Sequence, residues 1–227
     1  MNRILIIAAH PDDDILGCGG YISKYSKQDS IRVAFIAEGS SCRFNDDKDK
    51  VVKEEINNRN QFGLNALKIL GVNDVEFYNL KCGSLDQIPI LTINKIIENE
   101  INHYKPNIVF THSNKDANND HLIVHNSTIM ATRPGAKFFV PKVYAYEVLS
   151  SSEWKFTESF KPNYFEQLNE LDLLNKWDAL KEYESEIKPF PYPRSYEGLK
   201  VLSNYRGIQC NCEYAEAYEI IREINLL

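Results

Sequence analysis

The sequence predicts an α/β fold, a mostly parallel sheet with helices on both faces, and three observations predict it. Short apolar runs alternate with longer amphipathic segments through the first 115 residues. The opening run, residues 4–9 (ILIIAA), is unbroken, as in a strand buried on both faces. The intervening segments are about ten residues or longer, the length a crossover needs to return the chain parallel to itself.

Taken in order, residues 4–9 form a first strand and residues 15–26 a helix whose start Gly17, Gly19 and Gly20 weaken. Residues 31–37 (IRVAFIA) form a second strand, and residues 40–49 a polar loop. A long amphipathic helix over 51–70 stops at Gly71, a C-cap position. A third strand covers 75–78, a helix 91–104 ends before Pro106, and a fourth strand covers 107–111 (NIVFT). A polar loop, 112–121, leads to a helix over 122–132, and residues 142–148 form a fifth strand. Residues 150–166 read as irregular and 171–186 as a helix, while PFPYPRS (189–195) excludes regular structure. Residues 196–204 and 215–224 read as closing helices. One domain over 1–227 is expected, with a core of about 1–149 and a completing segment of about 150–227.

The composition, 43% hydrophobic and 26% charged, is that of an ordinary globular protein. A net charge of −6 argues against a nucleic-acid partner but leaves room for a small phosphorylated ligand in a locally basic pocket. No apolar run approaches the roughly 18 residues that span a bilayer. The apolar start is too short for a signal peptide, so a cytoplasmic protein is expected. The cysteines (Cys18, Cys42, Cys82, Cys210, Cys212) are odd in number and scattered, which fits a reducing compartment. Cys210 and Cys212 have no second pair nearby and read as ordinary thiols.

Two polar clusters carry the chemistry. His10-Pro11-Asp12-Asp13-Asp14 stands at the C-terminal tip of the first strand, where open α/β sheets place ligand sites. Asp116, Asn118, Asp120, His121 and His125 follow the fourth strand. Parallel strands bring such tips to one edge, so His10, Asp13 and His121 could converge as N, O and N ligands, the count of a catalytic zinc. Iron suits the same set. Adjacent side chains diverge, which leaves Asp12 beside the metal-bound water, where a general base is needed. Asp120 is placed to accept the second ring N–H of a metal-bound histidine.

Each cluster alone has a plainer reading. HPDD alone could cap a helix, and His121 alone could be an ordinary histidine. Two such clusters at two strand tips are harder to explain that way. His125 reads as packing before ligand, His103 as solvated, and His112 is open to a site role. The Gly17–Gly20 spacing fails the dinucleotide fingerprint, and a carboxylate-rich turn repels a pyrophosphate.

Ala9-His10-Pro11-Asp12-Asp13 with the later Asp120-His121 resembles the LmbE/PIG-L family of zinc-dependent N-deacetylases. Similarity continues through Arg59, Lys105–His112 (KPNIVFTH), Thr132-Arg133-Pro134, Tyr146-Glu147-Val148, Ser151–Trp154, Pro193-Arg194-Ser195, Tyr205-Arg206-Gly207 and Ala215–Tyr218, over most of the chain. The resemblance implies a Rossmann-like three-layer α/β/α sandwich that removes acetate from an N-acetylated amino sugar or sugar conjugate. It implies zinc on His10, Asp13 and His121, Asp12 as base, and Arg59 toward substrate hydroxyls or phosphate. Where many members carry a histidine, three residues before His121, this chain has Asn118, which can donate a hydrogen bond but cannot serve as an acid. Where a histidine is expected before Pro-Arg-Ser it has Tyr192. Asn118, Tyr192 and His112 are therefore the candidate oxyanion donors.

Two other functions remain open: an amidase on a thiol–sugar conjugate or other N-acyl amine, and a non-catalytic sugar- or nucleotide-binding domain. The expected partner is a small N-acetyl sugar or sugar nucleotide. The aromatic segment 150–166 leaves a homo-oligomer open.

Overall fold

A computed structural model describes residues 1–44 and 50–225. The chain runs β1 (Arg3–Ala8), α1 (Asp13–Tyr25), β2 (Ser30–Ala37), α2 (Lys50–Ile69), β3 (Asp74–Leu80), α3 (Ile90–Tyr104), β4 (Ile108–His112), α4 (Asn119–Ala131), β5 (Lys142–Tyr146), β6 (Tyr164–Leu168), α5 (Glu170–Leu180), α6 (Tyr196–Cys210) and β7 (Tyr214–Glu223). One seven-stranded sheet has the order β3-β2-β1-β4-β5-β7-β6. Strands β1 to β5 pair in parallel, while β7 is antiparallel to both β5 and β6.

Strand β1 is central, with Ile6 opposite Val33 on one side and Phe110 on the other. Alternate β1 residues feed two cores. Ile4, Ile6 and Ala8 join Phe35, Phe110 and Tyr146 beneath α1, α2 and α5. Leu5 and Ile7 join Ile97, Ile101 and Val124 of α3 and α4. Burial on both faces is why ILIIAA shows no polar alternation. The chain moves outward from β1 through β2 to β3, then returns to place β4 on the other flank of β1. That reversal opens a crevice between the C-terminal ends of β1 and β4.

The glycines of α1 serve packing. A Cβ on Gly17 would lie 2.2 Å from Tyr146 Cδ2, and one on Gly20 2.3 Å from Leu168 Cδ1. Their absence lets α1 lie directly on the sheet.

Several expected elements differ. Residues 215–224 form no closing helix; all but the last belong to β7. Their Ala and Glu content favours helix, but pairing on both sides and burial of Tyr214 to Tyr218 override local propensity. Buried Glu216 is satisfied there by the Gly20 and Tyr21 N–H groups and by Lys176. Residues 164–166, the end of the stretch expected to be irregular, open the edge strand β6. The helix expected over 171–186 ends at Leu180, and Glu184–Glu186 is a separate short turn. Part of the polar loop expected over 40–49, residues 45–49, lies outside the described residues. Among the described residues no helix is long and apolar enough to cross a membrane.

Candidate active site

The site begins where β1 ends. The His10 carbonyl accepts the Asp13 N–H at 3.2 Å, and the Asp13 carboxylate accepts the His10 N–H at 2.8 Å. This closed turn starts α1 at Asp13. Asp12 makes the bend with φ of 114°, a left-handed conformation costly for a residue with a Cβ. Its carboxylate does not cap the helix. It faces the crevice instead.

Across the crevice, Asn118 caps α4 by accepting the Asp120 N–H at 2.9 Å, which brings His121 onto the first turn. The three expected ligands meet. Asp13 Oδ2 lies 3.3 Å from His10 Nδ1 and 3.2 Å from His121 Nε2, with all three residues buried. Neither ring nitrogen of His121 makes a hydrogen bond among the described residues, and Nε2 is the one that faces Asp13. A buried, orphaned imidazole nitrogen aimed at a carboxylate oxygen fits a metal ligand, and the three donor atoms lie within 4.8 Å of one another.

Each imidazole is backed by a second carboxylate. His10 Nε2 lies 3.0 Å from Asp120 Oδ2, and His121 Nδ1 lies 3.2 Å from Asp116 Oδ1. Asp120 is held by the Gly83 N–H at 2.6 Å and the Leu85 N–H at 3.2 Å. Asp116 is held by the Ser151 and Ser152 hydroxyls at 2.9 and 2.6 Å. Burial disfavours a charged His10, but Asp120 and Asp13 outweigh it and push its pKa up to about 9. Burial likewise opposes a charged His121, which Asp13 and Asp116 raise to about 10. Burial would lift the Asp13 carboxyl, yet the histidines hold it well below the usual carboxylate range. The cluster is a cation-seeking pocket.

Beside it, Asp12 Oδ2 accepts Arg59 Nη2 at 2.8 Å and Arg194 Nη1 at 2.6 Å. Glu186 binds the same guanidiniums, Arg59 Nη1 at 2.7 Å and Arg194 Nη1 at 3.1 Å, and Arg43 as well. Burial raises the Asp12 carboxyl, and Arg194 and Arg59 only partly offset the rise. Burial works against ionised Glu186 too, but Arg59 and Arg43 bring it down to about 2.

A cleft of about 230 Å³ opens over these groups. His10, Asp12, Asp13 and His121 line it, and so do Asn118, Tyr192 and Trp154. Arg59 also reaches it but is 6% exposed and committed to Asp12 and Glu186. His112 is not brought to the cleft wall. It is fully buried and stacked on His121 at 4.0 Å, and its Nε2 accepts the Ala9 N–H at 2.8 Å. His125 Nδ1 bonds the His112 carbonyl at 2.8 Å, a packing role, and His103 is exposed.

Sequence reasoning left Asp116, Arg43, Trp154, Glu186 and Arg194 without roles. Asp116 sat in the DxNxDH cluster, and Arg194 in the Pro-Arg-Ser motif. Glu186 had no local signal, since its partner Arg59 is 127 positions away in sequence.

Comparison with known proteins bears on this geometry. The PIG-L family, GlcNAc-PI de-N-acetylase, matches residues 5–132, more than half of the chain. The uncharacterized deacetylase YaiS of Escherichia coli (strain K12) is 30% identical over 186 residues, covering 80% of this chain and 90% of YaiS. The N,N'-diacetylchitobiose deacetylase from Pyrococcus horikoshii superposes with a TM-score of 0.78 at 19% identity, covering 97% of this chain and 84% of that one. GalB, the 4-carboxy-2-hydroxymuconate hydratase from Pseudomonas putida KT2440, superposes with a TM-score of 0.77 at 21% identity, covering 100% of both chains. At such identities these structures share the fold alone, and one fold carries both a deacetylase and a hydratase, so the reaction has to be argued from the site. With the family match and the YaiS relative both extending over most of the fold's core, the chain belongs to the PIG-L family of deacetylases.

Proposed function

We propose that this protein is a metal-dependent N-deacetylase that releases acetate from an N-acetylated amino sugar or sugar conjugate. The observation that carries the reading is the buried His10/Asp13/His121 cluster opening onto a cleft beside the strained, arginine-held Asp12. His10 Nδ1, Asp13 Oδ2 and His121 Nε2 would hold zinc, with iron as the alternative for the same N,O set. The chemistry such a metal supplies when bound is a water acidified toward about 7 and a polarised amide carbonyl.

The chain's own residues do the rest. Asp120 takes the outer N–H of His10, and Asp116 Oδ1 stands 3.2 Å behind His121 Nδ1, so a carboxylate backs each imidazole on the side away from Asp13. Asp12 takes the proton of the attacking water and returns it to the departing amine. Its Oδ2 is pinned by Arg59 and Arg194, which makes Oδ1 the atom that handles the proton. Burial pushes this carboxyl up from its ordinary value, and Arg194 and Arg59 hold back part of the rise. Asn118 Oδ1 is committed to the Asp120 N–H, so its Nδ2 is the group left to donate to an oxyanion. The Tyr192 phenol is the second donor on the cleft wall. Buried His112 is not used as a donor. Trp154 offers an apolar face for a sugar ring.

The test pairs metal analysis with turnover. The wild type is expected to hold about one zinc or iron per chain, and Asp13→Ala to lose it. Asp12→Asn is expected to keep the metal and lose about 10²–10⁴ in kcat on N-acetyl sugars. Full activity in Asp12→Asn would remove the base assignment, and no metal in the wild type would remove the mechanism.

A further inference from the structure

Two cysteines meet at the mouth of the cleft. Cys42 lies in the short turn Ser41–Arg43 after β2 and is exposed; Cys82 follows β3 and is 6% exposed. Both line the cleft. Their sulfurs are 3.1 Å apart, with the Cys82 thiol donating to Cys42 Sγ. A disulfide requires about 2.05 Å, so the sulfurs need to approach by only about 1 Å. The two loops are already tied. The Glu38 carboxylate accepts the Ser40 and Ser41 N–H groups at 2.6 and 2.9 Å, and the Cys82 N–H of the other loop at 2.8 Å. Bridging them therefore orders little that is not already ordered.

We propose that Cys42 and Cys82 are a redox-active dithiol that closes to an intramolecular disulfide by exchange with a low-molecular-weight disulfide. Exposed Cys42 attacks one sulfur of the small disulfide. A Cys42 mixed disulfide forms, the small S–S bond breaks, and one small thiol leaves carrying the Cys42 proton. Cys82 then attacks Cys42 Sγ. The protein S–S bond forms, and the second small thiol leaves with the Cys82 proton. The two protein thiols are oxidised by two electrons in all, and one small disulfide is reduced to two thiols.

The environment divides the roles. The hydrogen bond from Cys82, with Arg43 beside it, lowers the Cys42 thiol to about 6 against the cost of burial. Cys82 is 6% exposed and points its thiol at Cys42 Sγ, as suits a resolving thiol shielded from solution. The bridge has a path to the site. Cys82 precedes Gly83, whose N–H, with that of Leu85, holds Asp120 on His10. Cys42 precedes Arg43, which binds Glu186 on the opposite wall. Oxidation therefore staples together two loops that carry support for both halves of the site. Cys210 and Cys212 are 3.3 Å apart but separated by a single residue, and they serve as an internal comparison.

The experiment uses the full, metal-loaded chain with oxidised glutathione, read by intact mass and peptide mapping, neither of which depends on the deacetylase reading. The expected product has lost two hydrogens, carries a Cys42–Cys82 cross-linked peptide, and reverts with dithiothreitol. Cys82→Ser is expected to stop at a stable glutathione adduct on Cys42. A persistent adduct on Cys42 in the wild type, a cross-link at other cysteines only, or two unreactive thiols in the folded protein would each overturn the proposal.

Discussion

Asp120→Asn offers a sharp test of how the metal cluster is built. Asp120 Oδ2 receives the His10 ring at 3.0 Å and the Gly83 N–H at 2.6 Å, while Oδ1 receives the Leu85 N–H at 3.2 Å. All three partners present N–H donors once His10 Nδ1 is turned to a metal, so the carboxylate works purely as an acceptor. Asparagine keeps the shape but replaces one acceptor with a donor. Whichever way the amide settles, its NH2 faces a donor, either the His10 Nε2–H or a backbone N–H. Loss of such outer support lowers metal affinity about 10–100-fold, or about 1.4–2.7 kcal/mol. The fold should survive, because the substitution is isosteric and the backbone donors lie in a partly exposed loop. The assay is competition for zinc against a chromophoric chelator, with circular dichroism as the fold control. A zinc Kd within twofold of the wild type in a folded variant would refute the inference that Asp120 orients His10 as a ligand.

Zinc affinity should also rise steeply with pH. In the metal-free protein His10 and His121 carry protons up to about 9 and about 10, whereas Asp13 is already ionised, so binding displaces about two protons at neutral pH. The apparent affinity should climb by roughly 100-fold per pH unit from 7 to about 8.5 and flatten above the histidine values. A slope near zero in chelator competition would contradict this. Gly17→Ala should destabilise by overpacking, since its Cβ would sit 2.2 Å from the fully buried Tyr146 ring. The expected loss is about 1–3 kcal/mol, or roughly 2–4 °C in Tm per kcal/mol for a chain of this size. An unchanged Tm would show that α1 lifts off the sheet at no cost.

The sequence by itself determined the fold class and the convergence of His10, Asp13 and His121, because both are written locally. Burial on both faces gives β1 its unbroken apolar run, and a polar residue just beyond such a run must lie at the sheet's edge. Parallel strands share that edge, which is enough to bring His10 and Asp13 toward His121. Tertiary structure alone decided the rest. Residues 215–223 have helical composition and became part of a strand because β5 and β6 offer partners on both sides. His112 closes β4 and His10 stands just past β1, yet the His112 ring lies behind His121, where the Ala9 N–H claims it. The clamp on Asp12 joins Arg59 and Arg194, 47 and 182 positions away, through Glu186. Hydrophobic periodicity is short-ranged and survives in the sequence, whereas an ion pair depends only on distance in the folded chain and leaves no mark on spacing.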